Sequence, residues 1–322
     1  MNMLNNETMT GELAAVQAAV QSAMPTPRFN FDTSARQIAI SIGCWTARVK
    51  DKSESEKTNR EAGAAEGAAN VWKDLLAGRQ ELRDVNKFAA GVRNWLSVAT
   101  MDWQEPYHLV PVVRIPATMK QAEAYRAEYW QKVEQFLAIY PDLISAQAFA
   151  LGTMFDRDEY PTVEQLRSRF HFDIDVIPVP SKGDWRVDLM DAAQQDLYES
   201  LASQMEANVS KRLSGAMAGL RARFGEHLKR MSEMLVDVVK ENKKGETVLA
   251  NRGYRETMLS GAKQLCRDVV EMNLTGDPAL EAARVALERA IDGVEFKELK
   301  NNVQIKKDVK KEVDSILSKF DF

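Results

Sequence analysis

The chain has 322 residues, a formal net charge of −4 and a hydrophobic fraction of 45%, which is enough for a sizeable core. The small charge argues against a strongly basic nucleic-acid binder and against an acidic tail. Two distant cysteines, Cys44 and Cys266, exclude a disulfide framework, and three scattered histidines without a CxxC pair predict no zinc site and no other cofactor. The first 25 residues lack a basic head followed by an apolar run, and no apolar run has bilayer length, so we expect no secretory signal and a cytoplasmic protein without membrane association.

The first half of the chain alternates between helix and strand signals. A short helix is predicted near residues 11–23, and isoleucines at every second position predict a strand at residues 38–42. Residues 50–70 are charged and then small, which is typical of a mobile loop. Helical spacing returns at residues 71–99, and the proline-edged residues 109–116 predict a strand near a sheet edge.

Two Thr–Gln pairs have the spacing of helix-capping boxes. The pair at Thr118 predicts a helix that reaches Tyr140 with an aromatic inward face and ends at Pro141. The pair at Thr162 predicts a short helix, followed by a strand whose apolar residues are Phe170, Phe172, Ile174 and Val176. His171, Asp173 and Asp175 face the other way on that strand.

The most regular feature is an apolar stripe from Met190 to Val238, repeating about every 3.7 residues as on one face of a long helix. That period predicts nearly straight or slightly right-handed pairing with another helix. Three glycines, Gly215, Gly219 and Gly225, either mark a bend or admit a close helix neighbour.

Three further helical segments follow the long helix. A turn is predicted at residues 242–245, then a helix at 247–273, a helix capped by Asp277 and Pro278 that ends at Gly293, and an amphipathic segment at 305–320. These helices are expected to fold back on the long helix as a coiled coil or bundle. The predicted fold is α+β and mostly helical: an N-terminal tail (1–27), a small antiparallel sheet with helices (28–185) and a long-helix arm with a bundle (186–322).

Catalytic patterns in the sequence are weak. His171, Asp173 and Asp175 are candidates for a metal-dependent enzyme, but alternate strand residues lie ~7 Å apart, which favours a solvated strand face. The glycines Gly63 and Gly67 lack the lysine of a phosphate-binding loop. Cys44 follows a strand beside Trp45 and is interpreted as a core thiol. The expectation is that the protein is not an enzyme.

The long helix separates its charges into blocks. Residues 188–206 hold five acids and no base, whereas residues 211–230 hold one acid and six bases: Lys211, Arg212, Arg221, Arg223, Lys229 and Arg230. Such blocks suit the helix dipole, antiparallel self-association or a protein partner, or contact with nucleic-acid phosphates. The six bases are the candidate interaction residues. Charge reversal at Arg221 and Arg223 is expected to weaken assembly without unfolding the N-terminal domain.

The strand order from IAISIGCW across VVRIP to FHFDIDVIPVP resembles an uncharacterised family of phage and prophage proteins. The resemblance covers residues 30–240, and its motifs are strand and helix patterns without catalytic residues. Members of that family are often encoded beside a MoxR-type AAA+ ATPase and a protein with a von Willebrand A domain. The resemblance implies a partner in an ATPase-driven assembly or remodelling system in a bacterial host cytoplasm.

These observations give two main hypotheses for function. The first is a non-enzymatic adaptor or scaffold that forms homo-oligomers and engages a protein machine through the arm. The alternative is a single-stranded DNA-binding protein of phage replication or recombination that uses the basic residues of the arm. Salt-sensitive binding to an oligonucleotide would discriminate between them.

Overall fold

A computed structural model describes residues 34–77, 79–180, 192–241, 247–251 and 256–320. They form two compact units, one of Ala35–Val179 with Asn208–Ala216 and the other from the remaining C-terminal residues. The α+β, mostly helical class is confirmed, since a four-stranded antiparallel sheet and two strand pairs accompany many helices in the described residues. The helix predicted at residues 11–23 lies outside the described residues.

The elements of the first unit follow one another along the chain as β1 (Ala35–Gly43), β2 (Arg48–Asp51), α1 (Lys52–Glu61), β3 (Val71–Asp74), α2 (Gln80–Ala99), β4 (Met101–Gln104), β5 (Tyr107–Pro111), α3 (Ile115–Leu151), α4 (Val163–Arg167) and β6 (His171–Pro178). Four strands form an antiparallel sheet in the order β4-β5-β1-β6, and β2 pairs with β3 separately. The two strands predicted from alternation, β1 and β6, are direct neighbours in this sheet.

Aromatic side chains fill the core between the sheet and helices α2 and α3. The predicted inward face of α3 is confirmed, with Tyr129, Phe136 and Tyr140 fully buried. The ring of Tyr129 lies 5.6 Å from that of Phe172 on β6, and Trp45 meets Tyr140 edge-on at 5.8 Å. The Tyr129 hydroxyl also donates to the carbonyl of Gly43 at the end of β1. Helix α3 is thereby fixed to the strand that leads to Cys44.

Residues 50–70 do not form the predicted loop, because a helix occupies much of this segment. The Asp51 side chain caps α1 by accepting from the amide of Glu54 at 3.0 Å. Ser55, on the buried side of α1, accepts from the amide of Val71 at 2.9 Å, and Asn59 exchanges two hydrogen bonds with Ala69. The helix packs through polar side chains, so hydrophobic periodicity gave no sign of it.

The capping box at Thr118 and the helix end at Pro141 are also wrong predictions. Helix α3 begins at Ile115, which leaves Thr118 buried inside it, and runs through Pro141 to Leu151. Beyond the proline, Leu143 and Ile144 are buried and Gln147 donates to the carbonyl of Ala77 at 3.1 Å. Tertiary packing offsets the lost backbone hydrogen bond of the proline. The second capping box, at Thr162 and Gln165, is confirmed.

Two strand boundaries also differ from the predictions. The segment from residue 71 starts as β3 before helix α2 begins, and the predicted strand at 109–116 ends at Pro111. A 3-10 turn then leads directly into α3. Short strands in hairpins, such as β4, give too few alternating positions to be read from sequence alone.

The second unit and the long helix contain α5 (Ala192–Met234), β7 (Asp237–Glu241), β8 (Thr247–Asn251), α6 (Thr257–Met272), α7 (Pro278–Ile291), α8 (Phe296–Asn301) and α9 (Val303–Lys319). Helix α5 runs through Gly215, Gly219 and Gly225 without a break in its helical backbone. The helix ends at Met234 and not near Val238, and an antiparallel hairpin occupies residues expected to be helical. The turn predicted at residues 242–245 falls outside the described residues, between the two strands.

The C-terminal helices pack as the predicted bundle. The cap of α7 is confirmed, since Asp277 accepts from the amides of Ala279 and Leu280 at 2.9 and 3.3 Å. Helix α7 packs against both α6 and α9. On α5, Ser232 donates to Asp314 of α9 at 2.5 Å, so this bundle includes the C-terminal part of the long helix. Its core consists of Leu220, Phe224, Leu228, Met231, Val269, Met272, Leu287 and Val313.

Candidate functional site

Four of the six predicted basic residues lie on one side of helix α5. Lys211 and Arg212 precede Lys229 and Arg230 by 18 positions, which is five full turns of an α-helix. The two pairs therefore point in similar directions, with about 27 Å between them along the axis. Both lysines and Arg230 are exposed, and Arg212 is half-buried. The guanidinium of Arg230 lies 3.5 Å from the carboxylate of Glu226.

Arg221 and Arg223 have structural contacts inside the bundle. The Arg221 guanidinium donates to the Oδ2 atom of Asp277 at 2.5 Å, and that carboxylate is only 6% exposed. The Arg223 guanidinium lies 3.4 Å from the sulfur of Met272. A charge reversal at Arg221 would place a carboxylate beside Asp277. It would disturb the cap of α7, so Arg221 is unsuitable for testing assembly alone.

The outward face of α5 carries more than basic groups. We define this face as the nine exposed residues between positions 204 and 233 that lie within about 80° of one another around the helix: Gln204, Asn208, Lys211, Gly215, Ala218, Ala222, Glu226, Lys229 and Glu233. The exposed Leu197 and Ser200 continue the same sector towards the start of the helix. A Cβ atom added at Gly215 would meet no atom within 4 Å. Sequence reasoning counted charges along the helix and missed this face, although the helical spacing of its members is visible in the sequence.

The acidic block does not share the outward face. Among the described side chains of that block, Glu199 and Glu206 lie roughly 140–160° around the helix from the middle of the face, and Asp196 lies about 80° from it, beyond the edge of the face. The predicted arrangement, in which a whole acidic half meets a whole basic half, would need both blocks on one side. The acids that do share the face with the exposed lysines are Glu226 and Glu233.

The polar face of the sheet holds the predicted metal-site candidates, but their hydrogen bonds are with other groups. His171 Nε2 lies 3.0 Å from the Ser41 hydroxyl on the neighbouring strand, and Tyr107 donates to Asp175 at 2.7 Å. Asp173 sits beside Ser41 in the strand register. Within the described part of the chain, no group of three His, Cys, Asp or Glu residues could hold a metal ion. The arrangement is a hydrogen-bonded sheet surface.

A cleft of about 600 Å³ lies beside the β2–β3 pair in the first unit. The Lys73 ammonium, with its side chain 6% exposed, is 2.5 Å from the Glu159 carboxylate and donates to the carbonyl of Met154 at 2.8 Å. Asp51 and Asp156 also line the cleft. Because Asp51 and Asp156 already cap α1 and a 3-10 turn, these groups stabilise loops.

Burial raises the pKa of both cysteine thiols. Burial raises the pKa of the Cys44 thiol, although the neighbouring Arg93 guanidinium opposes this effect. Burial raises the pKa of Cys266 to about 11, and Cys266 is 4% exposed. Both thiols are therefore protonated near neutral pH, which disfavours a nucleophilic role. This agrees with the interpretation of Cys44 as a core residue.

No protein-family model, no curated protein and no solved structure matches the chain. Among the described residues, no helix combines the length and apolar character that crossing a bilayer requires.

Proposed function

We propose that this chain is a non-enzymatic adaptor that self-associates through helix α5 and brings a protein machine together. The outward face of α5 carries the proposal. It is exposed from Gln204 to Glu233, about 45 Å along the axis, although the same helix is packed on its other side. One packed and one open side is common to all amphipathic surface helices. The support for a partner is the length of the open face together with the charges of both signs along it.

The charges on this face favour a protein partner. Lys211 and Lys229 share the face with Glu226 and Glu233, so it has both signs in equal number. Interleaved charges of both signs select partners by complementarity, whereas a phosphate backbone requires a predominantly basic face. Because the charges on this face balance, the six bases counted along the sequence do not form a single basic surface.

The sheet residues support a role without catalysis. The Ser41 hydroxyl and the His171 imidazole are both exposed on the sheet surface, and neither lines the cleft beside Lys73. Nucleophilic catalysis requires a positioned substrate and donors for a developing oxyanion, which an open sheet face does not supply. The cytoplasm of a phage-infected bacterium is the location we propose, with a MoxR-type AAA+ ATPase and a von Willebrand A-domain protein as partners, following the family resemblance.

Light scattering coupled to size exclusion tests this proposal. The wild-type chain at low and at high salt, with and without a short single-stranded DNA, should give a discrete oligomer whose mass the DNA does not change. A chain that stays monomeric over the whole accessible concentration range would contradict the adaptor proposal.

Single-stranded DNA binding is the second candidate function, and one observation favours it. The two basic pairs, Lys211–Arg212 and Lys229–Arg230, point to the same side of α5 and could contact phosphates of one strand. Phe224, the aromatic residue between the two pairs in the sequence, is fully buried and offers no stacking surface. Oligonucleotide binding that is present at low salt, and that is lost both at high salt and in a Lys229→Glu variant, would favour this function.

A further inference from the structure

We infer that the outward face of α5 pairs with the same face of a second copy of this chain, antiparallel, in a register that sets Lys211 opposite Glu226. This inference rests on the proposed self-association and specifies its interface. It concerns one continuous helix, so the positions of its residues follow from helix geometry alone.

The outward face is symmetric about its own middle. The midpoint lies between Ala218 and Gly219, and the residues on either side of it match in pairs at equal distance: Lys211 with Glu226, Asn208 with Lys229, Gln204 with Glu233, and Gly215 with Ala222. In an antiparallel pair of identical helices, these are the residues that oppose one another. A two-fold interface makes each of the contacts twice.

The opposing residues are complementary in charge. Each lysine faces either a glutamate or an asparagine, and Glu233 faces a glutamine, so no like charges oppose each other. A parallel pair in the same register would place Lys211 against Lys211 and Glu226 against Glu226, which is repulsive. Charge complementarity therefore selects both the partner, a second copy, and the antiparallel direction.

The side chains between these charges permit the contact without directing it. Gly215, Ala218 and Ala222 are exposed and small, so two helix axes can approach to about 8 Å, the short end of helix packing distances. At that separation, the long side chains of Lys211 and Glu226 reach across the pair. This pairing requires α5 to be continuous through its glycines, because a bend at Gly215 or Gly219 would separate the two charged ends of the face.

Reversal and exchange of the central charges test this register. Lys211→Glu and Glu226→Lys should each weaken dimerisation about tenfold, because each change turns two attractive contacts into repulsive ones. The double variant K211E/E226K should regain wild-type affinity, since it exchanges the two charges. An equimolar mixture of the two single variants should form a mixed dimer. Sedimentation over a dilution series measures all four affinities, and circular dichroism verifies that each variant is folded.

Glu206→Lys provides the matched control, because it reverses an exposed glutamate on the opposite side of the same helix. It should dimerise like the wild type. A double variant as weak as either single variant, or single variants that dimerise normally, would overturn this register while leaving self-association itself intact. A monomeric wild-type chain, whether or not it binds an oligonucleotide, would overturn both the register and the proposed function.

Discussion

The Asp277 side chain joins two elements of the bundle, α7 and α5, so its replacement by alanine should destabilise the fold measurably. Its Oδ1 atom caps α7, and its Oδ2 atom accepts from Arg221 of α5. Loss of an N-cap costs about 1 kcal/mol, and loss of hydrogen bonds between charged groups costs ~1.5–3 kcal/mol. The lower end applies to the second term because the Arg221 side chain is 48% exposed and regains water. We expect Asp277→Ala to lower the free energy of unfolding by about 2.5–3 kcal/mol.

Urea unfolding followed by far-ultraviolet circular dichroism measures this change, and Asp277→Asn separates its two parts. Asparagine caps helices as well as aspartate does but carries no charge, so this variant should lose only about 1–1.5 kcal/mol. The two variants should also differ in how their free energy of unfolding responds to Arg221→Ala. In the Asp277→Ala background this second change should lower it no further, because the ion pair is already absent. Equal losses in both Asp277 variants, or full additivity with Arg221→Ala, would refute the ascribed role of the ion pair.

Other consequences of the structure concern packing and pH. Gly43→Ala should lower the free energy of unfolding by about 2–3 kcal/mol, because the new Cβ would lie 2.6 Å from a backbone oxygen. Gly91→Ala lies in open space on helix α2 and should raise the free energy of unfolding by ~0.5–1 kcal/mol. Chemical denaturation of the two variants side by side checks the contrast. Burial raises the pKa of Tyr140 and Tyr160 to about 12, so the folded state keeps these hydroxyl protons at pH values where the unfolded state, with a pKa of 10.0, loses them. The free energy of unfolding should therefore fall as pH rises from 10 to 12. A tyrosinate absorbance titration that shows ordinary ionisation in the folded chain would contradict this. Burial lowers the pKa of His227 below its ordinary value of 6.5, so the unfolded state binds more protons than the folded state at acidic pH. The free energy of unfolding should therefore fall as pH drops below 6.5. His227→Gln should reduce this pH dependence, and an unchanged pH profile in that variant would contradict the prediction.

Elements with strong local signals were predictable from the sequence. The alternation in β1 and β6, the capping box at Thr162 and the Asp277–Pro278 helix start all depend on a few neighbouring residues. Helix α1 and the passage of α3 through Pro141 were not predictable. Helix α1 packs through the polar side chains of Ser55 and Asn59, which hydrophobic periodicity does not reveal. For α3 the deciding contact joins Gln147 with Ala77, which lies 70 residues away.

The candidate site shows the same division. Six bases in α5 can be counted in the sequence, but their accessibility cannot, because it depends on what each side chain meets in space. The pairing of Arg221 with Asp277 joins residues 56 positions apart and removes that arginine from the candidate surface. The symmetric spacing of Lys211 and Glu226 is present in the sequence and becomes meaningful only once α5 is known to be continuous.

The sequence by itself determined the fold class, the long helix and the capped start of α7, because periodicity and caps act within a few turns of the chain. The tertiary structure alone decided where α5 ends, which of its bases remain exposed and which face is open. These features depend on packing between distant segments, and the energies of such contacts are not encoded in any local pattern.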